Sequence, residues 1–438
     1  MRRSDPSGPV VIIGGGFSGS MLAVRLAERG IASSLINRTP EFGPGVAYAT
    51  PFDGHLLNVR AGRMSAVEDR PDDFIDWLSR HHPGHADAAG FVPRRLFGHY
   101  VQDRLAAAEA AHPGRIDRVV GEAVAIESDG VRLADGRVVP ARAVVLATGN
   151  PAPRMAADDS SGDRVLGDPW VAGVLARIGA DDDVLIVGSG LTMVDLLLQL
   201  TAGGWRGRAT ALSRRGLLPR AHRIHHEVPT DPTPGMVAGP ASRRLGDGRR
   251  LARSDGWRAM MDGLRPVTAD LWRAADPAVR ARLLRHLRPW WDVHRHRLAP
   301  VVATAIDGLV ADGRLRVVAG RARRIAATSG SVTLHWTPRH SATPETLTTG
   351  WLIDCSGPGH DPARSALTGP LLEAGRAQLD TLGLGLALDA DGRVLQADGT
   401  PDPGLFVLGP PARAAFWESI AVPDIRRHLE AVVTALAG

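Results

Sequence analysis

Two short segments repeat one local plan, and that repetition limits the folds open to this chain more than any other feature. The first, "VVIIGGGFSGS" (10–20), sets the β-branched run Val10–Ile13 before a glycine turn. An apolar-periodic stretch to Arg29 follows, closed by Gly30. The second, "VLIVGSGLTMVD" (184–195), sets Val184–Val187 before Gly188-Ser189-Gly190 and a periodic stretch to Leu200, ended by Gly203-Gly204. A short buried strand, a tight turn and a helix opening on that turn are the first arm of a βαβ unit. Second strands are predicted at 31–36 and 209–212.

The repetition continues downstream. "IDRVVGEAVAIESDGVRLADGRVVPARAVVLATGN" (116–150) reads as a β-meander, with Asp129-Gly130 and Asp135-Gly136 as hairpin turns. "RLRVVAGRARRIAATSGSVTLHW" (314–336), followed by "GWLIDCSGPG" (350–359), has the same plan. The expected fold class is therefore α/β: two Rossmann-like dinucleotide-binding domains, each three-layer ββα with a β-meander, plus a helical insert. Residues 1–165 are expected to start the first domain and 351–438 to complete it. Residues 166–350 are expected to form the second domain, with a mostly helical insert at about 216–312. Residues 150–169, rich in Asp, Pro and Gly, read as a linker. Helices are predicted at 71–82, from Arg94 to about Ala111, and from Pro423 to Leu436. Tail strands are predicted near 384–388 and 404–408, with "DADG" as the turn between them.

Composition excludes several classes. The chain has 438 residues and a formal charge of +5, and all 52 basic residues are arginine. They are dispersed among acids, without the basic-aromatic clustering of a nucleic-acid reader, so no nucleic-acid partner is expected. The single cysteine, Cys355, cannot form an internal disulfide or a redox pair. No apolar run approaches the length of a membrane span, and the run after "MRRS" is too short for a signal core. The expected location is cytoplasmic, with no membrane partner.

Gly14, Gly16 and Gly19 have the spacing of a phosphate-binding turn. The first glycine allows the tight turn, the second lets a pyrophosphate approach the backbone, and the third lets helix and strand pack closely. The N–H groups at the helix start, around Phe17 and Ser18, face the phosphates. Asn37 stands at the end of the second strand, where an acid usually meets ribose hydroxyls. In the second copy Gly188, Ser189, Gly190, Leu191 and Thr192 are the counterparts, with Met193 in place of the third glycine. After its second strand come Ser213, Arg214 and Arg215, suited to the 2′-phosphate of NADP. Two dinucleotides in one chain point to FAD and NADPH, with hydride passing from nicotinamide to flavin. FAD is assigned to the first turn, because the meander there ends in Thr148-Gly149 and the tail "GLFVLGPP", with Gly409 and Pro410, reads as a strand returning to it. The helix starting near 421–423 would then point its N-terminus at the flavin pyrimidine end.

"HRIHHE" (222–227) and "HRHR" (294–297) concentrate histidine. The first run follows Pro219 as a loop and matches no zinc-protease helix pattern, so no metal is expected there. Contact with substrate or NADPH, and a plain solvated loop, remain alternatives for it. Arg60, Arg63, Arg94 and Arg95 are candidates to clamp a carboxylate.

The stretches "GGGFSG", "GPGVAYATP", "HLLNVRAGRMSA", "FVPRRLFGHYV", "VLATGNP", "VLIVGSGLTMVD", "LSRRGLLP", "WWDVHRHRLAP", "IDCSGPG" and "GLFVLGPPARAAFWESIAVPDIR" span nearly the whole chain. Through them the chain resembles the FAD/NAD(P)-binding (YdhS-like) family of two-dinucleotide-binding flavoproteins, related to N-hydroxylating and class B flavin monooxygenases. The resemblance implies an FAD- and NADPH-dependent monooxygenase that uses O2, through a flavin C4a-(hydro)peroxide, to hydroxylate an amine of a small carboxylate-bearing metabolite. It places Asn58 near the flavin, and Trp417 and Glu418 near the flavin ring or the substrate, and makes these three the candidate catalytic residues. Two positions depart from the pattern of related flavoproteins: Asn37 for the usual acid, and Pro410 after Gly409 where Gly-Asp is common. A flavoprotein reductase without oxygen insertion is the alternative, and a non-catalytic dinucleotide sensor a third reading.

Overall fold

The computed structural model describes residues 8–151, 162–225, 227–359 and 361–438. Its first sheet is built on β1 (Val10–Ile13), β2 (Ser33–Asn37), β3 (Ile116–Val120) and β7 (Ala143–Leu146), all parallel, in the order β7-β1-β2-β3. The meander β4 (Ala123–Ile126), β5 (Gly130–Leu133) and β6 (Val138–Pro140) forms a separate antiparallel sheet. Alternation along β1 decides which layer each residue meets. Val10 and Ile12 pack with Met21, Leu22 and Leu26 of the helix Phe17–Glu28. Val11 and Ile13 pack with Val131 and Leu133 of the meander. Both faces are covered, so the strand is uniformly apolar.

The second sheet repeats this arrangement. It has β8 (Val165–Leu166), β9 (Val184–Val187), β10 (Ala209–Ser213), β11 (Leu315–Ala327), β12 (Val332–Pro338), β13 (Glu345–Thr349) and β14 (Trp351–Asp354), ordered β13-β12-β11-β10-β9-β14-β8. Val184 and Ile186 pack with Met193, Leu196 and Leu197 of the helix Leu191–Ala202, whereas Leu185 packs with Ile325, Leu334 and Trp336 of the meander. Here the long strand β11 serves both sheet and meander, so the two are continuous. Of the expected linker 150–169, β8 joins the edge of this sheet beside β14, and residues 152–161 lie outside the described residues.

Two boundaries differ from expectation. The helix Pro300–Ala311 is not part of the insert. Its Val302, Ile306 and Leu309 share a core with Leu196 and Leu197, making it the crossover between the parallel strands β10 and β11. The helices from Pro234–Val237 to Arg288–Arg295 form the insert proper. In the tail, the strands are β15 (Arg393–Leu395) and β16 (Pro401–Val407), with no ladder over 384–388. There the Asp380 carboxylate accepts from the N–H groups of Leu382 (3.0 Å) and Gly385 (3.2 Å), a local alternative to strand pairing. Leu386 and Leu388 make only isolated bridges. Strand β16 lies parallel to β7, with Leu405 against Val144, and so closes the first sheet from the far end of the chain.

A buried joint ties the two units together. Arg94, at the start of the helix Arg94–Ala111, pairs with Asp195 of the helix Leu191–Ala202 at 2.8 Å. Its Nε donates to the Leu56 carbonyl at 3.0 Å. His55 is fully buried, and burial lowers its pKa below the ordinary value. A carbonyl can only accept, so the neutral ring donates from Nε2 to Asp195 O at 3.0 Å and accepts at Nδ1 from the Thr50 hydroxyl at 2.7 Å. Arg94→Ala leaves the Asp195 carboxylate buried without its partner, a loss of about 3–5 kcal/mol. Urea unfolding should show it, with Arg94→Met plus Asp195→Leu recovering much of the loss.

Candidate functional site: two dinucleotide turns and the insert between them

The two glycine turns are superposable in their backbone strain. Gly14 has φ +115° and Gly188 φ +116°. A Cβ on Gly14 would stand 2.3 Å from the Ala147 carbonyl oxygen, and one on Gly188 2.0 Å from that of Cys355. Each first glycine thus crosses the end of the neighbouring strand, β7 or β14, where no side chain fits. Gly19 is required for the same kind of reason, since its Cβ would stand 1.9 Å from Gly14 O. Met193 is fully buried, so the second helix stands far enough away to admit a side chain. Gly190 differs: it has φ −90°, and a Cβ would meet nothing within 4 Å. The protein leaves open space at the position where a phosphate would approach. Neither helix, from Phe17 or from Leu191, has a side-chain cap or an acid in its first turn. Their N–H groups are available to an anion, and Thr192 makes no hydrogen bond through its side chain among the described residues.

Around the first turn, three carboxyl ends of parallel strands converge. Gly14–Gly19 follow β1, the exposed Thr148 and half-buried Gly149 follow β7, and Gly409 and Pro410 follow β16. Gly409 is so close to the first helical turn that a Cβ would stand 2.6 Å from Ser18 Oγ. Phe17 is buried against Tyr48 and Phe97. Asn37 has a task the sequence did not announce. Its Oδ1 accepts from Gly15 N–H at 3.3 Å, and its Nδ2 donates to the carbonyls of Thr39 (3.0 Å) and Glu41 (2.8 Å). Its amide is spent on holding the turn to the following loop, not left free for a ribose.

At the second turn, Ser189 Oγ lies 2.8 Å from Ser213 Oγ and 2.6 Å from Leu217 O, while Ser213 Oγ accepts from Gly216 N–H at 3.0 Å. These hydroxyls brace the loop that presents Arg214 and Arg215. Both arginines line a cleft of about 480 Å³ together with residues of β11, β12 and the insert.

The insert docks on the two segments expected near a flavin ring. Trp417 has φ +57°, in the left-handed region, and packs at a tilt against Trp272 of the insert, with ring centroids 4.6 Å apart. Trp272 Nε1 donates to Ala414 O at 2.8 Å. Glu418 is buried, with Oε1 accepting from Trp291 Nε1 at 2.7 Å and Oε2 3.5 Å from Arg295 Nε. Its carboxylate joins insert and tail through Oε1, while Oε2 has no hydrogen-bond partner. The Asn58 carbonyl accepts from His222 Nε2 at 3.0 Å. Of the four candidate arginines, Arg94 is held by Asp195 and Arg95 by Asp53. Arg60 is held by the carbonyls of Ala89, Arg223 and Ile224. Arg63 lines a second cleft, of about 280 Å³, with Arg265 and Arg426. Among the described residues no group of three His, Cys, Asp or Glu side chains could hold a metal, and His226 lies outside them.

Sequence reasoning missed the ion pairs that seat the insert. Arg297 is almost fully buried and grips Asp262 with both terminal nitrogens, at 3.1 and 2.8 Å. Burial pushes the Asp262 carboxyl up, but Arg297 more than offsets this and holds it below the usual carboxylate range. Arg265 pairs with Asp424 at 2.8 Å. The partners are far apart in sequence, and in an arginine-rich chain no local spacing marks them.

Gly188→Ala should lower the melting temperature sharply, because strand carbonyl and Cβ cannot coexist. Gly190→Ala should fold normally and lose dinucleotide affinity alone, as read by titration. Burial, followed by the Arg297 charge, brings His222 down to about 4 from an ordinary 6.5. Unfolded chains bind that proton near pH 6.5 and the fold refuses it until about pH 4, so stability falls as pH drops through this window. His222→Gln should flatten the fall, measured as unfolding free energy at pH 7 and pH 4.5.

Residues 11–151 match the family model described as FAD-NAD(P)-binding. No curated protein matches the chain. The ornithine N-hydroxylase of Kutzneria sp. 744 is 18% identical with a TM-score of 0.66, and the ornithine hydroxylase of Pseudomonas aeruginosa 16% identical with 0.65; each match covers 98% of both chains. The cadaverine monooxygenase of the desferrioxamine pathway of Erwinia amylovora is 13% identical with a TM-score of 0.68, over 98% of this chain and 94% of that one. No helix among the described residues is long and apolar enough to cross a membrane. Over nearly its whole length the chain thus has the fold of these three N-hydroxylating enzymes, and its residues 11–151 are similar to the FAD-NAD(P)-binding model.

Proposed function

We propose that the chain is an FAD- and NADPH-dependent monooxygenase that hydroxylates the amine nitrogen of a small carboxylate-bearing metabolite. The net reaction takes the amine, O2, NADPH and a proton to the hydroxylamine, NADP⁺ and water. The observation that supports it best is the pair of glycine turns with matching φ, one met by the C-terminal tail and the other followed by Arg214 and Arg215. Bound FAD supplies the redox and oxygen chemistry. Gly14, Gly16, Phe17, Ser18 and Gly19, with Thr148, Gly149, Gly409 and Pro410, surround its phosphates and ribityl chain in this reading. Gly188, Ser189, Gly190, Leu191 and Thr192 take the pyrophosphate of NADPH, with Ser213 bracing the two arginines for its 2′-phosphate.

The rest is positioning and exclusion of water. Trp272 on Trp417 and Trp291 on Glu418 press the insert onto the 413–418 turn. That contact would shield the edge of a bound flavin from solvent, which an oxygen-using flavin needs. Asn58, held through its carbonyl by His222, keeps its side chain free to face the ring. Arg63 is the candidate for a substrate carboxylate. In the cleft it lines, Arg265 and Arg427 are held by Asp424 and Arg426 by Glu68, which leaves Arg63 as the guanidinium open to a ligand among the described residues.

A reductase acting on disulfides has no support in the thiol inventory. Cys355 is the one cysteine, and burial, with Asp354 beside it, raises its thiol well above the ordinary value. Electron transfer to another acceptor is separated from oxygenation by one experiment. The FAD-loaded protein is reduced anaerobically with NADPH, then exposed to air with a panel of amino acids and diamines. Oxygen uptake matched by hydroxylamine supports the proposal, whereas uptake matched only by hydrogen peroxide for every amine counts against it. Arg214→Ala with Arg215→Ala should raise the KM for NADPH by about tenfold or more and leave that for NADH unchanged; equal effects on both would remove the 2′-phosphate assignment.

A further inference from the structure

The cleft beside the second turn carries an unbalanced charge. Arg214, Arg215, Arg285, Arg321, Arg323 and Arg339 line it, and no Asp or Glu among the described residues does. Among the described residues, none of the six is ion-paired, although other arginines of this chain meet carboxylates, as in Arg94–Asp195 and Arg265–Asp424. Like charges held together repel, and a fold without a use for them would spread them or pair them.

Their convergence follows from strand register. Ser213 of β10 lies against Ala319 of β11, so Arg214 and Arg321 leave the same carboxyl edge. Arg339 N–H donates to Ala319 O at 2.8 Å, which brings the end of β12 to that edge too. The next residue, His340, has φ +68° and is, with Trp417, one of two non-glycine residues in the left-handed region among the described residues. Arg285 comes from elsewhere, the helix Pro277–His286 of the insert, and its carbonyl accepts from Arg215 Nη2 at 3.3 Å. Four separate elements, β10, β11, β12 and the insert helix, therefore supply cations to one cleft, the place where the 2′-phosphate of NADPH would lie.

We propose that Arg321, Arg339 and the insert's Arg285 complete the 2′-phosphate subsite, so that the insert itself distinguishes NADPH from NADH. The inference rests on the NADPH reading above and adds residues outside the β10 turn. A phosphate dianion offers three terminal oxygens, more than Arg214 and Arg215 need. With the phosphate bound, Arg285 pins the insert to the nucleotide unit, and NADH leaves that tie unmade.

The test is calorimetric titration of the FAD-loaded full chain with 2′,5′-ADP and with 5′-AMP at one ionic strength. Arg285→Ala, and Arg321→Ala with Arg339→Ala, should each weaken 2′,5′-ADP by about tenfold or more while leaving 5′-AMP unchanged. Arg285→Lys should recover part of the loss. In wild type, 2′,5′-ADP but not 5′-AMP should slow tryptic cleavage within the insert, and Arg285→Ala should abolish that protection. These arginines are exposed, so flavin content and circular dichroism should match wild type. If both sets of variants bind 2′,5′-ADP like wild type while Arg214→Ala with Arg215→Ala does not, the inference fails and the NADPH reading stands. If wild type binds the two nucleotides equally, both fall.

Discussion

A steric exclusion underlies everything else in this molecule. At Gly14 and Gly188 the chain passes so close to the end of a neighbouring strand that even a methyl group would overlap a carbonyl oxygen. That approach turns the helix N-terminus toward the carboxyl ends of the parallel strands, where loops gather and ligands bind in open α/β sheets. The geometry occurs twice, with φ values one degree apart. The two halves then diverge in what they add to it: a returning C-terminal strand in the first, an arginine-lined cleft in the second.

The insert makes a working pair out of the two halves. It leaves the second sheet after β10, returns through the crossover helix Pro300–Ala311, and touches both the segment around Asn58 and the 413–424 turn. Its attachment combines indole hydrogen bonds with buried ion pairs. Each buried pair contributes little net stability once desolvation is counted, but a wrong docking would strand a charge. The ion pairs Arg297–Asp262 and Arg265–Asp424 therefore act chiefly on where the insert sits.

Much of the fold was legible because its signals are local. β-branched runs, glycine spacing and Asp-Gly turns locate β1, β9, their helices and the first meander to within a residue or two. Where longer-range effects decide, the sequence was mute. The run 384–388 looks like a strand, yet Asp380 captures its backbone first. The crossover helix and the insert are one helical stretch until packing separates them. At the candidate site the glycines and the pair Arg214-Arg215 stood out. Arg321 and Arg339 did not, since exposed arginines on a strand look like any solvated face until register brings them together. Asn37 and Glu418 were noticed for their positions, but only the structure shows which partners occupy their polar atoms.

The strand β16 has a consequence for biogenesis. It completes a sheet begun by β1, yet the whole second unit is synthesised between them. As the chain leaves the ribosome, β7 presents an unpaired parallel edge throughout the making of the nucleotide unit and the insert. Gly409 reaches Ser18 only afterwards. The second unit can form its core while the first waits open, so the sheet that opens the chain is the last that can be sealed.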